Sequence, residues 1–168
     1  MTDWKADKRW SDRFLTQIKR ICGEYLIGEP PVEEDQERNT DLVVLRMDAV
    51  RIACRVRKNK YLGQYGDEFT IRCGRPSGVK TELTKIVEGW GDYVFYGFAD
   101  AEEQTLAAWL LGDLRAFRVW FMQSLAKLPA GRMPGSEKPN ADGSSHFMAF
   151  AVSAMPKEFI VARHRQPP

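Results

Sequence analysis

Two short runs, 51–57 (RIACRVR) and 68–75 (EFTIRCGR), alternate charged and apolar residues with a period of two. A helix would scatter such a pattern around its axis, whereas a pleated strand sorts it onto two faces. Ile52, Cys54, Val56, Phe69, Ile71 and Cys73 then share an apolar face. Arg51, Arg55, Arg57, Glu68, Thr70 and Arg72 share the other. A row of arginines on a sheet face is suited to gripping phosphate, and it also makes an ordinary wet surface.

Further strands flank this pair. The apolar segment 41–47 (DLVVLRM) turns through Asp48 and Ala49 into a strand at 50–57. A loop at 58–67, carrying Tyr61, Gly63, Tyr65 and Gly66, leads into the strand 68–74, so the spacing predicts a three-stranded antiparallel meander. The nearly continuous apolar run 92–99 reads as a strand buried on both faces. Strands are also expected at 106–111 and 146–152, the latter followed by a Met-Pro turn and an extended tail.

Three helices complete the pattern. In 7–26, Trp10, Phe14, Ile18, Ile21, Cys22 and Tyr25 recur at helical spacing, and Gly28, Pro30 and Pro31 stop the helix. In 79–90 the stripe is Val79, Leu83, Ile86, Val87 and Trp90, and in 114–128 Asp113 supplies the N-cap. The Gly/Pro-rich segment 129–145 reads as a long loop, mobile or functional. The expected fold is α/β (α+β mixed sheet), with a central mixed β-sheet flanked by helices on both faces. A single domain spans 1–168: a core at about 8–128, the loop at 129–145, and a C-terminal strand and tail at 146–168.

Composition excludes several classes. The 168 residues are 43% hydrophobic and 29% charged, which is a globular balance rather than a disordered one. No apolar run approaches the roughly 20 residues that cross a bilayer, so no membrane partner is expected. The start, MTDWKADKRW, carries charges where a signal peptide needs an apolar stretch, and a cytoplasmic location is expected. Cys22, Cys54 and Cys73 are odd in number and lack Cys-x-x-Cys spacing, so they read as buried reduced thiols rather than zinc ligands. His146 and His164 lack the partners of a catalytic triad.

Charge is unevenly spread. Between Glu29 and Asp41 stand Glu29, Glu33, Glu34, Asp35, Glu37 and Asp41 against Arg38. Between Arg51 and Lys80 stand Arg51, Arg55, Arg57, Lys58, Lys60, Arg72, Arg75 and Lys80 against Asp67 and Glu68. Such asymmetry fits a polyanionic partner or two solvated loops of opposite sign.

The element order over about 8–128 resembles the core of the PD-(D/E)XK nuclease-like superfamily, the restriction-endonuclease-like fold. That resemblance implies an Asp at one strand and Glu-x-Lys on the next, holding Mg²⁺ or Mn²⁺ at a scissile phosphate. Asp41, which opens an apolar strand, matches the aspartate. The next strand offers Ala53-Cys54-Arg55 where Glu-x-Lys belongs, and the one after offers Thr70-Ile71-Arg72. Arginine grips phosphate but neither shuttles protons nor ligates metal, so a second carboxylate must come from Asp67, Glu68, Glu82 or the acids 33–35.

The expected catalytic set is Asp41, Glu82 and Lys85, with Asp41 and Asp67 as metal ligands. The expected nucleic-acid contacts are Arg51, Arg55, Arg57 and Arg72, with Tyr61 and Tyr65 as stacking faces. The expected function is action on nucleic acid, DNA foremost, as a metal-dependent endonuclease of phage or DNA-processing type. The alternative is a catalytically degenerate nucleic-acid-binding or protein-interaction module. A homodimer is an allowed assembly.

Overall fold

A computed structural model describes residues 4–26, 50–140 and 143–165. The expected strand 41–47, the acidic stretch 29–41 and Asp41 itself lie outside the described residues.

The fold is mixed α/β. Four strands form one mixed sheet in the order β1 (Ile52–Arg57), β3 (Tyr93–Ala99), β4 (Leu106–Asp113), β7 (Ile160–Arg165). Three strands, β2 (Glu68–Gly74), β6 (His146–Ala151) and β5 (Ser136–Pro139), form a second, antiparallel sheet. Two helices, α1 (Trp4–Asp12) and α2 (Leu15–Leu26), precede them. A one-turn helix α3 (Leu62–Tyr65) follows β1, α4 (Glu82–Val87) follows β2, and α5 (Leu114–Leu125) follows β4.

Strand β3 explains the layering. Its alternate residues divide between two clusters, as expected for a strand covered on both faces. Phe95 joins Leu111 of β4 and packs under Phe14, Ile18, Ile21 and Cys22 of the N-terminal helical pair. Val94, Tyr96 and Phe98 face the other way, joining Phe69, Ile71, Met148 and Phe150 of the second sheet and Phe117 and Phe121 of α5. Asp113 caps α5 as expected, its carboxylate accepting from the amides of Arg115 and Ala116 at 2.6 and 3.2 Å. Gly112, at a register shift between β4 and β7, gives Phe159 room, because a Cβ there would sit 2.5 Å from the ring.

Several expectations need correction. The helix at 7–26 is two helices, broken at Arg13 and Phe14, where Phe14 plunges into the core at 1% exposure. Strands β1 and β2 do not pair as neighbours in a meander. β1 lies parallel to β3, and β2 pairs with β6 in the other sheet. The connection 58–67 is the cause: a 3₁₀ turn (Asn59–Tyr61) and α3 occupy it instead of a tight hairpin turn.

The helix expected at 79–90 is only one and a half turns long. Thr81 caps it, accepting from the Thr84 amide, and only Leu83 and Ile86 of the stripe are buried, with Val79 and Trp90 left exposed. The loop 129–145 contains strand β5, and the extended tail is β7, an antiparallel partner of β4. Of the three expected buried thiols, Cys22 is buried, Cys73 half-buried and Cys54 exposed. The Cys54 sulfur still sits in the groove toward α2, and burial there, with the Cys22 charge, pushes it up to about 11.

Candidate nucleic-acid interface

The polar faces of β1 and β2 meet at Arg55 and Thr70, while Arg51, Arg57 and Arg72 stay open to solvent. Arg55 on β1 reaches across to β2, where its Nη1 donates to the Thr70 carbonyl and hydroxyl oxygens at 3.2 and 3.1 Å. The Thr70 hydroxyl lies 3.0 Å from the Tyr96 hydroxyl of β3. On its other side Arg55 donates from Nη2 to Glu82 Oε2 at 3.1 Å, and the same oxygen accepts from the Arg72 amide at 3.1 Å. A β1 arginine, two buried hydroxyls and a helix-start glutamate thus form one connected network.

Two open concavities flank this network, and Arg72 lines both. The larger, about 630 Å³, runs along β1 with Arg55, Arg57, Lys58 and Lys60, and has Lys8 and Trp10 of α1 on its far wall. The smaller, about 450 Å³, is lined by Arg51, Arg75, Lys80, Lys85 and Trp90 around Glu82. Asp7 and Glu82 are the acids in these linings, and Lys8 and Lys80 are paired with Asp12 and Glu88 beside them at 2.6 and 2.8 Å, so the positive charge rests on Arg51, Arg57, Arg72, Arg75, Lys58, Lys60 and Lys85. The Arg72 guanidinium is lowered from its ordinary value, first by burial, then by the charges of Arg75 and Arg55, with Glu82 opposing. Arginine stays charged regardless.

The aromatic residues of the cleft carry cations. Arg57 sits 4.2 Å above the Tyr61 ring and 5.5 Å from Tyr65, whose other neighbour is Lys138 at 5.4 Å. Arg51 lies 6.0 Å from Trp90, which is 61% exposed. Cation–π contacts of this kind hold the guanidinium of a long side chain in place with its donors outward.

Of the expected contact residues, Arg51, Arg55, Arg57, Arg72 and Tyr61 all line this cleft, and Tyr65 stands against Arg57. Sequence reasoning missed Lys8 and Trp10, which arrive from a distant helix, and treated Trp90 as packing. The signal for Trp90 lay in Gly89 and Gly91 at positive φ on either side of it, which carry the chain away from the helix stripe.

The expected catalytic and metal-binding residues are dispersed. Glu82 and Lys85 lie in the smaller concavity, with the Glu82 carboxylate held by Arg55 and the Arg72 amide. Asp67 lines a separate cavity, and its carboxylate accepts from the Ser153 hydroxyl at 2.6 Å. Asp41 lies outside the described residues. Among the described residues, no group of three or more His, Cys, Asp or Glu side chains is placed to hold a metal ion. No helix among them is long and apolar enough to cross a membrane. Comparison of the chain with models of known families, with curated proteins and with solved structures finds no match.

Proposed function

We propose that this chain binds nucleic acid, DNA foremost, along the β1 cleft, and that it does so as a binding module rather than as a nuclease. The observation that carries this reading is the convergence of Arg51, Arg57, Arg72 and Arg75 with Lys58, Lys60 and Lys85 from separate segments onto two concavities that share Arg72. Phosphates spaced along a backbone satisfy such a row of cations, and each neutralised phosphate releases counterions. Trp90 and Tyr61 add flat apolar surface on which an unpaired base stacks.

The choice of binder over nuclease rests on Glu82. Its Oε2 accepts from a guanidinium and a backbone amide, so the carboxylate orients Arg55, and no second carboxylate of a described residue lines the concavity beside it to complete a cation's oxygen shell.

The test is fluorescence anisotropy with labelled single-stranded and duplex DNA, in chelator and in Mg²⁺, across a salt series. Binding that survives chelator and falls steeply with salt is the expected result. Absence of binding at low salt would sink the proposal. Metal-dependent cleavage, lost on Asp41→Ala, would replace it with the endonuclease reading.

A further inference from the structure

The aromatic residues along the cleft differ in how far the fold already uses them. Trp10 is committed: its indole N–H donates to Glu103 Oε2 at 2.6 Å, and its ring meets Phe14 edge-on at 5.2 Å. Tyr61 is half-buried, with Arg57 and Lys60 at 4.2 and 5.1 Å from its ring centre. Trp90 is different. At 61% exposure it belongs to neither hydrophobic cluster.

The backbone nevertheless fixes its place. Gly89 and Gly91 take φ of 98° and 81°, a region that a side chain would strain. Between them the Trp90 amide donates to the Lys85 carbonyl at 2.9 Å, closing the end of α4. Arg118 of α5 brackets the same turn, its Nη1 donating to the carbonyls of Ile86 and Gly91 at 3.4 and 3.1 Å. The turn that carries the indole is therefore anchored, although the indole itself stands in water.

Its surroundings supply the second observation. Trp90 and Val79, both exposed, put apolar surface inside a concavity whose cations include Arg51, Arg72, Arg75 and Lys85. Glu82, the acid in that lining, is engaged by Arg55 and the Arg72 amide. An exposed indole among cations suits a ligand that is flat and anionic at once. A base in a single strand is both, with its ring faces uncovered and a phosphate on either side. In a duplex the neighbouring bases cover those faces, and only edges and phosphates remain.

We propose that Trp90 is the platform on which one unpaired base stacks, and that it makes the cleft select single-stranded over duplex DNA. The flanking phosphates meet the guanidinium and ammonium groups of the same concavity. Every base has a π-face, so the selection is for strandedness and not for sequence. This inference rests on the cleft reading, to which it adds the state of the nucleic acid and the residue that senses it.

The test compares three probes of equal length at one salt concentration: an oligothymidylate, an abasic deoxyribose-phosphate strand and a duplex. Each is titrated against the full chain and against Trp90→Ala and Trp90→Phe. The abasic strand keeps the phosphates and removes every base, so it isolates stacking. The oligothymidylate is expected to bind more tightly than either other probe. Trp90→Ala is expected to weaken it by about fivefold or more, and Trp90→Phe to restore most of that loss. Neither variant is expected to change the abasic strand or the duplex by more than about twofold, since phosphate contacts are untouched. An exposed side chain is replaceable without loss of fold, which an unchanged thermal transition verifies.

Three results overturn the inference while leaving the cleft reading standing. One is an abasic strand or duplex that binds as tightly as the oligothymidylate. Another is Trp90→Ala binding the oligothymidylate as the parent does. The third is an equal loss on all three probes, which would make Trp90 a structural residue. Absence of binding by every probe at low salt removes the cleft reading, and this inference with it.

Discussion

Phe69 and Thr70 are neighbours on β2, yet they enter two different kinds of interior. Phe69 is fully buried in an aromatic slab, its ring 5.4 Å from Phe150, 5.1 Å from Phe159 and 6.0 Å from Phe117. Thr70, 7% exposed, enters the polar network of Arg55, Tyr96 and Glu82. The slab is non-directional: it stabilises by area and shape, and it carries no information about which atom faces which. The network works by direction. It contributes little net stability, but a missing member leaves the others unsatisfied. The molecule therefore rests its stability on the aromatic side and its positioning of Arg55 on the polar side. No buried side-chain nitrogen or oxygen among the described residues is left without a partner, so the network is closed.

That division is broken most severely from the aromatic side. Phe69→Ala removes the ring common to three aromatic contacts and is expected to cost about 3–5 kcal/mol, read as a fall in the urea midpoint at unchanged slope. If it costs no more than a surface substitution, the slab is not what holds the two sheets together.

Thr70→Val is the matching test one residue along. Size is kept while the hydroxyl is lost, leaving Arg55 Nη1 with only the carbonyl and the Tyr96 hydroxyl without its partner. The expected cost is about 1–2 kcal/mol, and adding Tyr96→Phe is expected to recover part of it in a double-mutant cycle. Strict additivity of the two changes would show that the hydroxyls do not act as a unit.

The two regions also differed in legibility. The apolar run of β3 declared burial on both faces, because that pattern needs covering whatever the topology. Of the slab, Phe69 and Ile71 were legible on the apolar face of their strand, whereas Phe117 and Phe150 lay in an expected helix and strand with no side assigned to them. Strand partnership was not legible. β1 and β2 each carry a clean alternation, and alternation specifies which face a residue takes, not which strand lies beside it. The turn at 58–67 decided the matter, since its tyrosines and glycines form short helical turns that carry the chain to another layer.

For the same reason the arginine face was identified while its surroundings were not. Arg55 was visible as a charge opposite an apolar face. That Thr70 and Glu82 would receive it depends on two sheets stacking, and this is a long-range fact. Lys8 and Trp10 reach the cleft from the N-terminal helix, with no local signal at all.

Glu82→Gln separates orientation from charge within the polar region. The amide oxygen still accepts from the Arg72 amide, while the ion pair with Arg55 is lost. That pair is about one-third exposed on each side, so solvent screening limits the expected cost to about 1 kcal/mol or less. The cleft also loses a carboxylate, so DNA binding is expected to tighten, most visibly at low salt. Weaker binding would mean that Arg55 needs the charge of Glu82, and not only its geometry, to face a phosphate.

Arg57→Ala gives the smallest effect on stability and the cleanest on binding. The side chain lies over Tyr61 and Tyr65 and makes no hydrogen bond to another described residue, so the expected stability change is within about 0.5 kcal/mol. If Arg57 meets one phosphate, its removal lowers the slope of log K against log salt by about 0.7 on single strands and about 0.9 on duplex. It should also weaken all sequences alike, because a phosphate contact carries no base information. An unchanged slope with an unchanged affinity would place the nucleic acid off β1. A changed affinity with an unchanged slope would instead assign the Arg57-tyrosine stack to base contact rather than to phosphate. Either result would redraw the boundary between the part of the polar face that holds the fold and the part that meets a ligand.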